Sequence, residues 1–388
     1  MKNALLLFFS IFFIASCIDR INIPIPASGA HDIIIDGQIT DEPGPYTVKL
    51  TQSIKIDGPQ VVGYSVSAKE VTISDNVGNS ETLGQKEVGI YQTKPDGIRG
   101  VIGREYTVRI EMVDGKIFQS LPDRMNPVGT LDSIYYEFES VQPLDAPTKY
   151  GYRIYVDAQG VPDDDYYLRW KFSGTYVIET KPQYYRVSGS NCPPCGCRAP
   201  LPCSGHAIVN EEITLGWVTN PRTGEVTFVQ GLKCECCRCW VTQHEEKPKV
   251  SGNQLNSNGQ FKKIEVGYVP INFYTFFEKY RAEVRQMSLS KVAYDYWRSV
   301  QNQKEAIGSL FQPIAGKIQT NLFEINNASG VQGIFYASAV KKKYLYLDQR
   351  TRKVVIPEPV NCDGRIGAAG VSCLTFPNST TQQPADWD

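Results

Sequence analysis

Histidine is scarce in this chain, with three copies in 388 residues. It is the commonest metal ligand and general base, so its scarcity counts against hydrolytic chemistry. The sequence also lacks a G-x-S-x-G elbow, an H-E-x-x-H pair and a Walker loop, which leaves no nucleophile–base, zinc-protease or phosphate-binding signature. Carboxylates are plentiful, but nothing in their spacing places two of them across a sugar. An excess of charge is missing as well. Forty Lys and Arg against 41 Asp and Glu give a formal net charge of −1, so there is no electrostatic footing for nucleic acid or an anionic membrane surface. Beyond the first segment, no apolar run approaches the roughly 20 residues that span a bilayer. A non-enzymatic protein without cofactor or nucleic-acid partner is expected.

What is present begins at the start, MKNALLLFFSIFFIASC. Lys2 supplies a positive charge, and Leu5 to Ile14 form an apolar run too short to cross a membrane but suited to a secretory signal. Ala15 and Ser16 lead into Cys17. The order Ile14-Ala15-Ser16-Cys17 resembles a lipobox, in which the thiol takes a diacylglyceryl group and becomes the new N-terminus. Each buried acyl methylene contributes about 0.8 kcal/mol, so several chains anchor stably. The competing reading is a cleaved signal with an incidental cysteine. Residues 1–16 therefore read as a lipoprotein signal peptide and 17–32, broken by Pro24, Pro26 and Gly29, as a lipidated tether.

A charged fraction of 21% and a hydrophobic fraction of 41% fit a globular chain with a core. The texture from Ile33 onward is short strands between turns: IIIDGQIT, the reversal DEPGP, then YTVKLTQ. In REYTVRIEMVDGKIFQS, apolar and polar residues alternate with period 2, and Asp114-Gly115 predicts a two-residue type I′ hairpin turn. Pro122 and Pro127 mark a boundary. LDSIYYEFES, GYRIYVDAQ and DYYLRWKFSG open a second β-rich region, and GVQGIFYASAV with KKKYLYLD reads as a terminal strand pair. The best helix lies near 289–306, capped by Ser288 or Ser290, with Val292, Tyr296, Trp297 and Val300 on one face. The fold class predicted is mainly β, with tandem β-sandwich domains of immunoglobulin or fibronectin type, one amphipathic helix and a cysteine-rich insertion. The predicted spans are 33–124 for the first sandwich, 128–360 for the second region with its insertion at 191–240, and 361–388 for a disulfide-bearing tail.

Of 11 cysteines, ten remain once Cys17 is assigned to lipid. An even set in an exported chain points to disulfides. One cluster comprises Cys192, Cys195, Cys197 and Cys203, and the other Cys234, Cys236, Cys237 and Cys239. Their C-x-x-C and C-x-C spacing would also suit soft metals, with Cys192, Cys195, Cys234 and Cys236 as zinc ligands. Crowding of adjacent Cys236 and Cys237 favours disulfides, each closure contributing about 2–4 kcal/mol to a loop with little core. Cys362 and Cys373 are near in sequence and most simply bridge each other. Asp163, Asp164 and Asp165 read as a solvated turn, since an EF-hand spacing is absent. His31, His206 and His244 read as scattered surface residues. The doublets Tyr135-Tyr136, Tyr166-Tyr167 and Tyr184-Tyr185 each turn one ring inward and one outward. An outward row of rings could serve a glycan or protein partner, though such rings more often cover sheet edges.

Several of these segments in order, IIIDGQITDEPGPYTVKLTQS, REYTVRIEMVDGKIFQS, VPDDDYYLRWKF, EVRQMSLSKVAYDYW and GSLFQPIAGKIQTNLFEINNASGVQGIFYASAV, resemble a Bacteroidota lipoprotein family, the domain of unknown function 4249 (DUF 4249). The resemblance implies an outer-membrane lipoprotein, lipid-anchored and facing the cell surface, partnered with a TonB-dependent transporter. It implies no activity. A stand-alone surface lipoprotein binding glycan or peptide is the alternative.

Overall fold

The computed structural model describes residues 32–53, 63–144, 147–161, 167–180, 186–187, 197–198, 207–209, 212–219, 226–230, 237–252, 258–306, 318–325, 330–348, 350–351, 353–355, 372–385 and 387. The fold is mainly β, as expected, with several antiparallel sheets and one helix. Two six-stranded sheets share the N-terminal part of the core. The first runs in the order Val331–Ser338, Ile33–Thr40, Thr47–Gln52, Ile90–Gln92 and Gly84–Glu87, with Tyr64–Ser65 beside Thr47–Gln52. The second runs Leu322–Glu324, Ile117–Ser120, Glu105–Met112, Ala68–Asp75 and Ser80–Thr82.

The alternation read in Glu105–Met112 is the packing pattern observed. Tyr106, Val108, Ile110 and Met112 are buried, while their neighbours are half-exposed. Ile35, Ile39, Val48 and Leu50 of the first sheet join Val71, Ile73, Val108 and Ile110 of the second in one core. The hairpin predicted at 105–120 forms, but its turn differs. The Met112 N–H donates to the Lys116 carbonyl (2.8 Å) and the Gly115 N–H to the Met112 carbonyl (3.1 Å). Only Gly115 has positive φ (86°); Asp114 does not. This is a three-residue loop, a tight turn closed by a left-handed glycine, in place of the two-residue type I′ turn.

Two further strands depart from expectation. Leu322–Glu324 and Val331–Ser338 fall within the region predicted to form the second domain, yet they join the N-terminal sheets. Val331–Ser338 pairs in parallel with Ile33–Thr40, from Ile33 opposite Val331 to Thr40 opposite Ser338. Gly333 permits the approach: its φ is 95°, and a Cβ there would lie 1.9 Å from the Ile35 carbonyl oxygen. The predicted pairing of GVQGIFYASAV with KKKYLYLD therefore does not occur, because Val340–Asp348 pairs with Lys279–Ser288 instead. A period-2 pattern identifies strands without naming their partners.

The second pair of sheets comprises Thr130–Val141, Lys149–Gln159 and Gln260–Pro270, facing Val340–Asp348, Lys279–Ser288, Leu168–Glu179, Arg238–His244 and Ser379–Thr380. Trp170 and Phe261 meet edge-on between them at 5.2 Å. The buried Gln286 accepts the Trp170 indole N–H (2.9 Å) and donates to the carbonyls of Val128 (2.9 Å) and Thr130 (3.0 Å), so no polar atom of that amide is stranded.

The helix, α1 (Lys291–Ala306), starts where predicted: the Ser290 hydroxyl accepts the Ala293 N–H at 3.1 Å. Its inward face differs. Val292 is exposed, and Ala293 and Gln301 are buried, with Tyr294, Tyr296 and Trp297 packed on a smaller core of Val250, Met287, Leu289, Ile334 and Tyr336. Among the described residues, no helix is long and apolar enough to cross a membrane.

Candidate functional site

The described cysteines pair differently from the sequence expectation. Cys373 bonds to Cys239, with Cα atoms 5.7 Å apart and 134 residues between them in sequence, so the predicted Cys362–Cys373 bridge is not made. The reason lies in the tail. Ser372 caps a short turn at Cys373–Thr375, Ser379–Thr380 adds to strand Arg238–His244, and Trp387 packs on Val177 and Trp240. The tail is thus ordered against the fourth sheet, and Cys373 is delivered beneath the core-facing Cys239. Cys237 is disulfide-bonded too.

Cys17, Cys192, Cys195, Cys203, Cys234, Cys236 and Cys362 lie outside the described residues, as do His31, His206, the Asp163–Asp165 triplet, Tyr166 and the Tyr184-Tyr185 doublet; of Cys197 only the backbone is described. Among the described residues, no three His, Cys, Asp or Glu side chains are grouped to hold a metal. His244 is exposed at the end of its strand. Of the first tyrosine doublet, Tyr135 stacks on Tyr155 (5.8 Å) and Tyr136 meets Tyr152 edge-on (5.1 Å). Both rings therefore find ring partners within their own sheet.

The structure instead draws attention to two features that the sequence did not single out. The first is an open cleft of about 1200 Å³ between the third and fourth sheets. Tyr150, Phe172, Tyr176, Tyr268 and Phe376 contribute aromatic walls, and His244, Lys247 and Glu265 contribute polar groups. A concave surface with aromatic faces and a few polar groups is the usual form of a ligand site.

The second lies behind Glu245, which also lines the cleft. Arg169, on strand Leu168–Glu179, is buried and forms an ion pair with Glu245. The other Glu245 oxygen accepts the Phe172 N–H at 3.0 Å. The Arg169 guanidinium lies 3.6 Å over the Trp297 ring and 3.4 Å from the Tyr336 hydroxyl, which itself donates to Gln38 at 2.6 Å. Burial pushes the Tyr336 phenol up to about 12, so it stays a neutral donor.

Around this pair stand Asp36, Lys171 and Tyr296. Burial raises the Asp36 carboxyl above its ordinary value, against the pull of Lys171, Arg169 and Lys49. Asp36 itself is exposed on strand Ile33–Thr40. Burial, aided by Arg169, lowers the Lys171 ammonium. Burial, with Asp36 nearby, raises the Tyr296 phenol. Ionisable groups thus surround the buried Arg169–Glu245 pair from strand Ile33–Thr40, strand Leu168–Glu179 and α1. The sequence hides them: in LRWKF, Arg169 and Lys171 alternate with Trp170 and Phe172 and read as a solvent face. That face is covered by α1 and the first sheet.

A family model described as "Domain of unknown function (DUF4249)" matches residues 18–344. The chain belongs to the DUF4249 family. No curated protein and no solved structure matches it. The DUF4249 match opens directly after Cys17 and closes within strand Val340–Asp348. Arg169, Glu245, Asp36, Lys171, Tyr296 and Tyr336 all lie inside it. Cys373 lies beyond it, so the disulfide ties the tail to the family region at Cys239.

Proposed function

We propose that this DUF4249 protein is a Bacteroidota outer-membrane lipoprotein, anchored through Cys17 at the cell surface, that acts without catalysis as an accessory or substrate-presenting partner of a TonB-dependent transporter. The observation that carries the reading is the position of the family match, which begins at residue 18, the first residue after the lipobox-like Cys17. A signal, a lipid-accepting cysteine and then the family region are what a tethered surface protein needs, in that order. The aromatic cleft supports a role in holding a substrate. It equally favours a stand-alone glycan- or peptide-binding lipoprotein, which needs no transporter.

The test has two arms. Cells fed a labelled fatty acid should incorporate it into the wild-type chain, and Cys17→Ser should lose both label and membrane association. Mild-detergent purification from native membranes should then bring a TonB-dependent transporter along. An unlabelled, detergent-independent protein would overturn the anchoring. A labelled protein recovered alone at low salt would overturn the partnership and favour the stand-alone binder.

A further inference from the structure

The cleft between the third and fourth sheets follows strand edges. Neighbouring residues of a strand point to opposite faces, yet Val241, Thr242, Gln243 and His244 all line it, and so do Glu265, Val266, Gly267 and Tyr268. A cavity that touches successive residues on both sides runs along the edges, where the backbone groups lie. On one side, Gln260–Pro270 is the last strand of its sheet and pairs only with Lys149–Gln159 among the described residues. On the other, Ser379–Thr380 pairs opposite Trp240 and Val241, and the Thr242 N–H donates to the Asn378 carbonyl (3.2 Å). No further strand pairing follows there among the described residues. Other edges are guarded: Thr130–Val141 lies against Val340–Asp348, and Gly84–Glu87 is short, exposed and charged at Lys86 and Glu87.

The walls suit a polypeptide better than a sugar chain. The floor is apolar, since Phe172, Tyr176, Val241 and Val266 are buried. Gly267 lets Phe172 press against the edge strand, because a Cβ there would lie 2.4 Å from the ring. Tyr176 already stacks on Tyr280 (5.7 Å) and Tyr150 on Phe138 (6.2 Å), and Phe376 meets Tyr274 edge-on (5.3 Å). Of the rings in the cleft, Tyr268 is the exposed one. Main-chain donors and acceptors along a free edge are matched in spacing by another extended backbone.

Charge narrows the ligand further. Lys149, Lys247 and Lys249 line the cleft and form no ion pair among the described residues. Of its four glutamates, Glu245 pairs with Arg169 and Glu265 with Arg153, which leaves Glu246 and Glu305.

We infer that the cleft binds an acidic peptide in extended form, pairing with the free edge of Gln260–Pro270 and placing its carboxylates on Lys149, Lys247 and Lys249. The register with Lys149–Gln159 shifts at Val266, a bulge that keeps the new ladder short, so side-chain pockets and the lysines supply the remaining grip. The disulfide-held tail adds Phe376, Pro377 and Asn378 to the wall. This names a ligand class for the substrate-holding reading above and rests on that reading for its role in the cell. Purified protein tests it with no transporter present, so either can fail alone.

The experiment is equilibrium dialysis of the purified protein in detergent against a pool of octapeptides, acetylated and amidated at their ends, in which Asp and Glu alternate with apolar residues. A second pool carries Asn and Gln instead, and oligogalacturonate is the acidic sugar probe. Retained peptides are identified by mass spectrometry. The best binder should hold at least about tenfold more tightly than its Asn/Gln twin. Lys149→Met, Lys247→Met and Lys249→Met in one chain should erase that preference. Two N-methylated copies of the binder test the ladder with no variant at all. Alternate N–H groups of a strand point the same way, so methylating one alternate set should weaken binding at least about tenfold more than methylating the other. Equal binding of the two copies, or of binder and twin, would overturn the inference. So would retention of neither peptide pool, whether or not oligogalacturonate is retained.

Discussion

Asp123 is 3% exposed and joins two distant segments: the Ser290 hydroxyl at the start of α1 donates to one oxygen, and the Ala337 N–H donates to the other at 2.8 Å. Burial outweighs both bonds and raises its carboxyl from 3.8 to about 6. At 1.36 kcal/mol per pH unit, ionising the folded protein at this site costs about 3 kcal/mol more than ionising the unfolded chain. Between those two values the native state binds the extra proton. The stabilisation is therefore fully present below pH 3.8 and is lost as pH rises through about 6. Asp123→Asn keeps an acceptor for Ala337 and removes the charge. Urea unfolding of both proteins from about pH 4 to about pH 7 should show the variant gaining on the wild type by up to about 3 kcal/mol. Taking the difference cancels acids such as Asp75 and Asp157, whose pKa values are lowered and which favour neutral pH in both proteins. Asp123→Ala, which also strands the Ala337 N–H, should be less stable than the Asn variant by about 1–3 kcal/mol. A difference between wild type and Asn variant that stays constant across this range would refute the assignment.

Three other substitutions probe the same framework. Cys373→Ser opens the link to Cys239 across 134 residues and should lower stability by up to about 5 kcal/mol, read as a drop in unfolding temperature that reductant reproduces in the wild type. Gly333→Ala places a methyl group against the Ile35 carbonyl at positive φ and should cost at least about 2 kcal/mol in urea unfolding. Arg169→Met leaves Glu245 buried without its cation and should cost about 3–5 kcal/mol, part of which Glu245→Gln in the same chain should restore.

What could be read from the chain was local. The hairpin from Glu105 to Ser120 declared itself because alternation and a glycine turn sit within a few residues of each other. Even there the loop gained a residue, since Asp114 stays at negative φ and only Gly115 crosses over. Partnership between remote segments left no such trace. Ile33–Thr40 and Val331–Ser338 are both apolar strands, and nothing in either names the other. Proximity along the chain misled in the case of Cys373, whose true partner is placed by a tail strand rather than by spacing. The buried Arg169–Glu245 pair failed to appear for a related reason. Arg169 reads as an ordinary outward residue of an alternating strand until α1 covers it with Trp297.

The parallel pairing of Ile33–Thr40 with Val331–Ser338 also orders events in time. The earliest strand of the described fold gains its second neighbour only after nearly 300 more residues have been synthesised. Until then one of its backbone edges is open, a template for mispairing with any extended segment nearby. A ribosome-bound or truncated chain ending before residue 331 would keep that edge, making this a protein that must be finished before its beginning is safe.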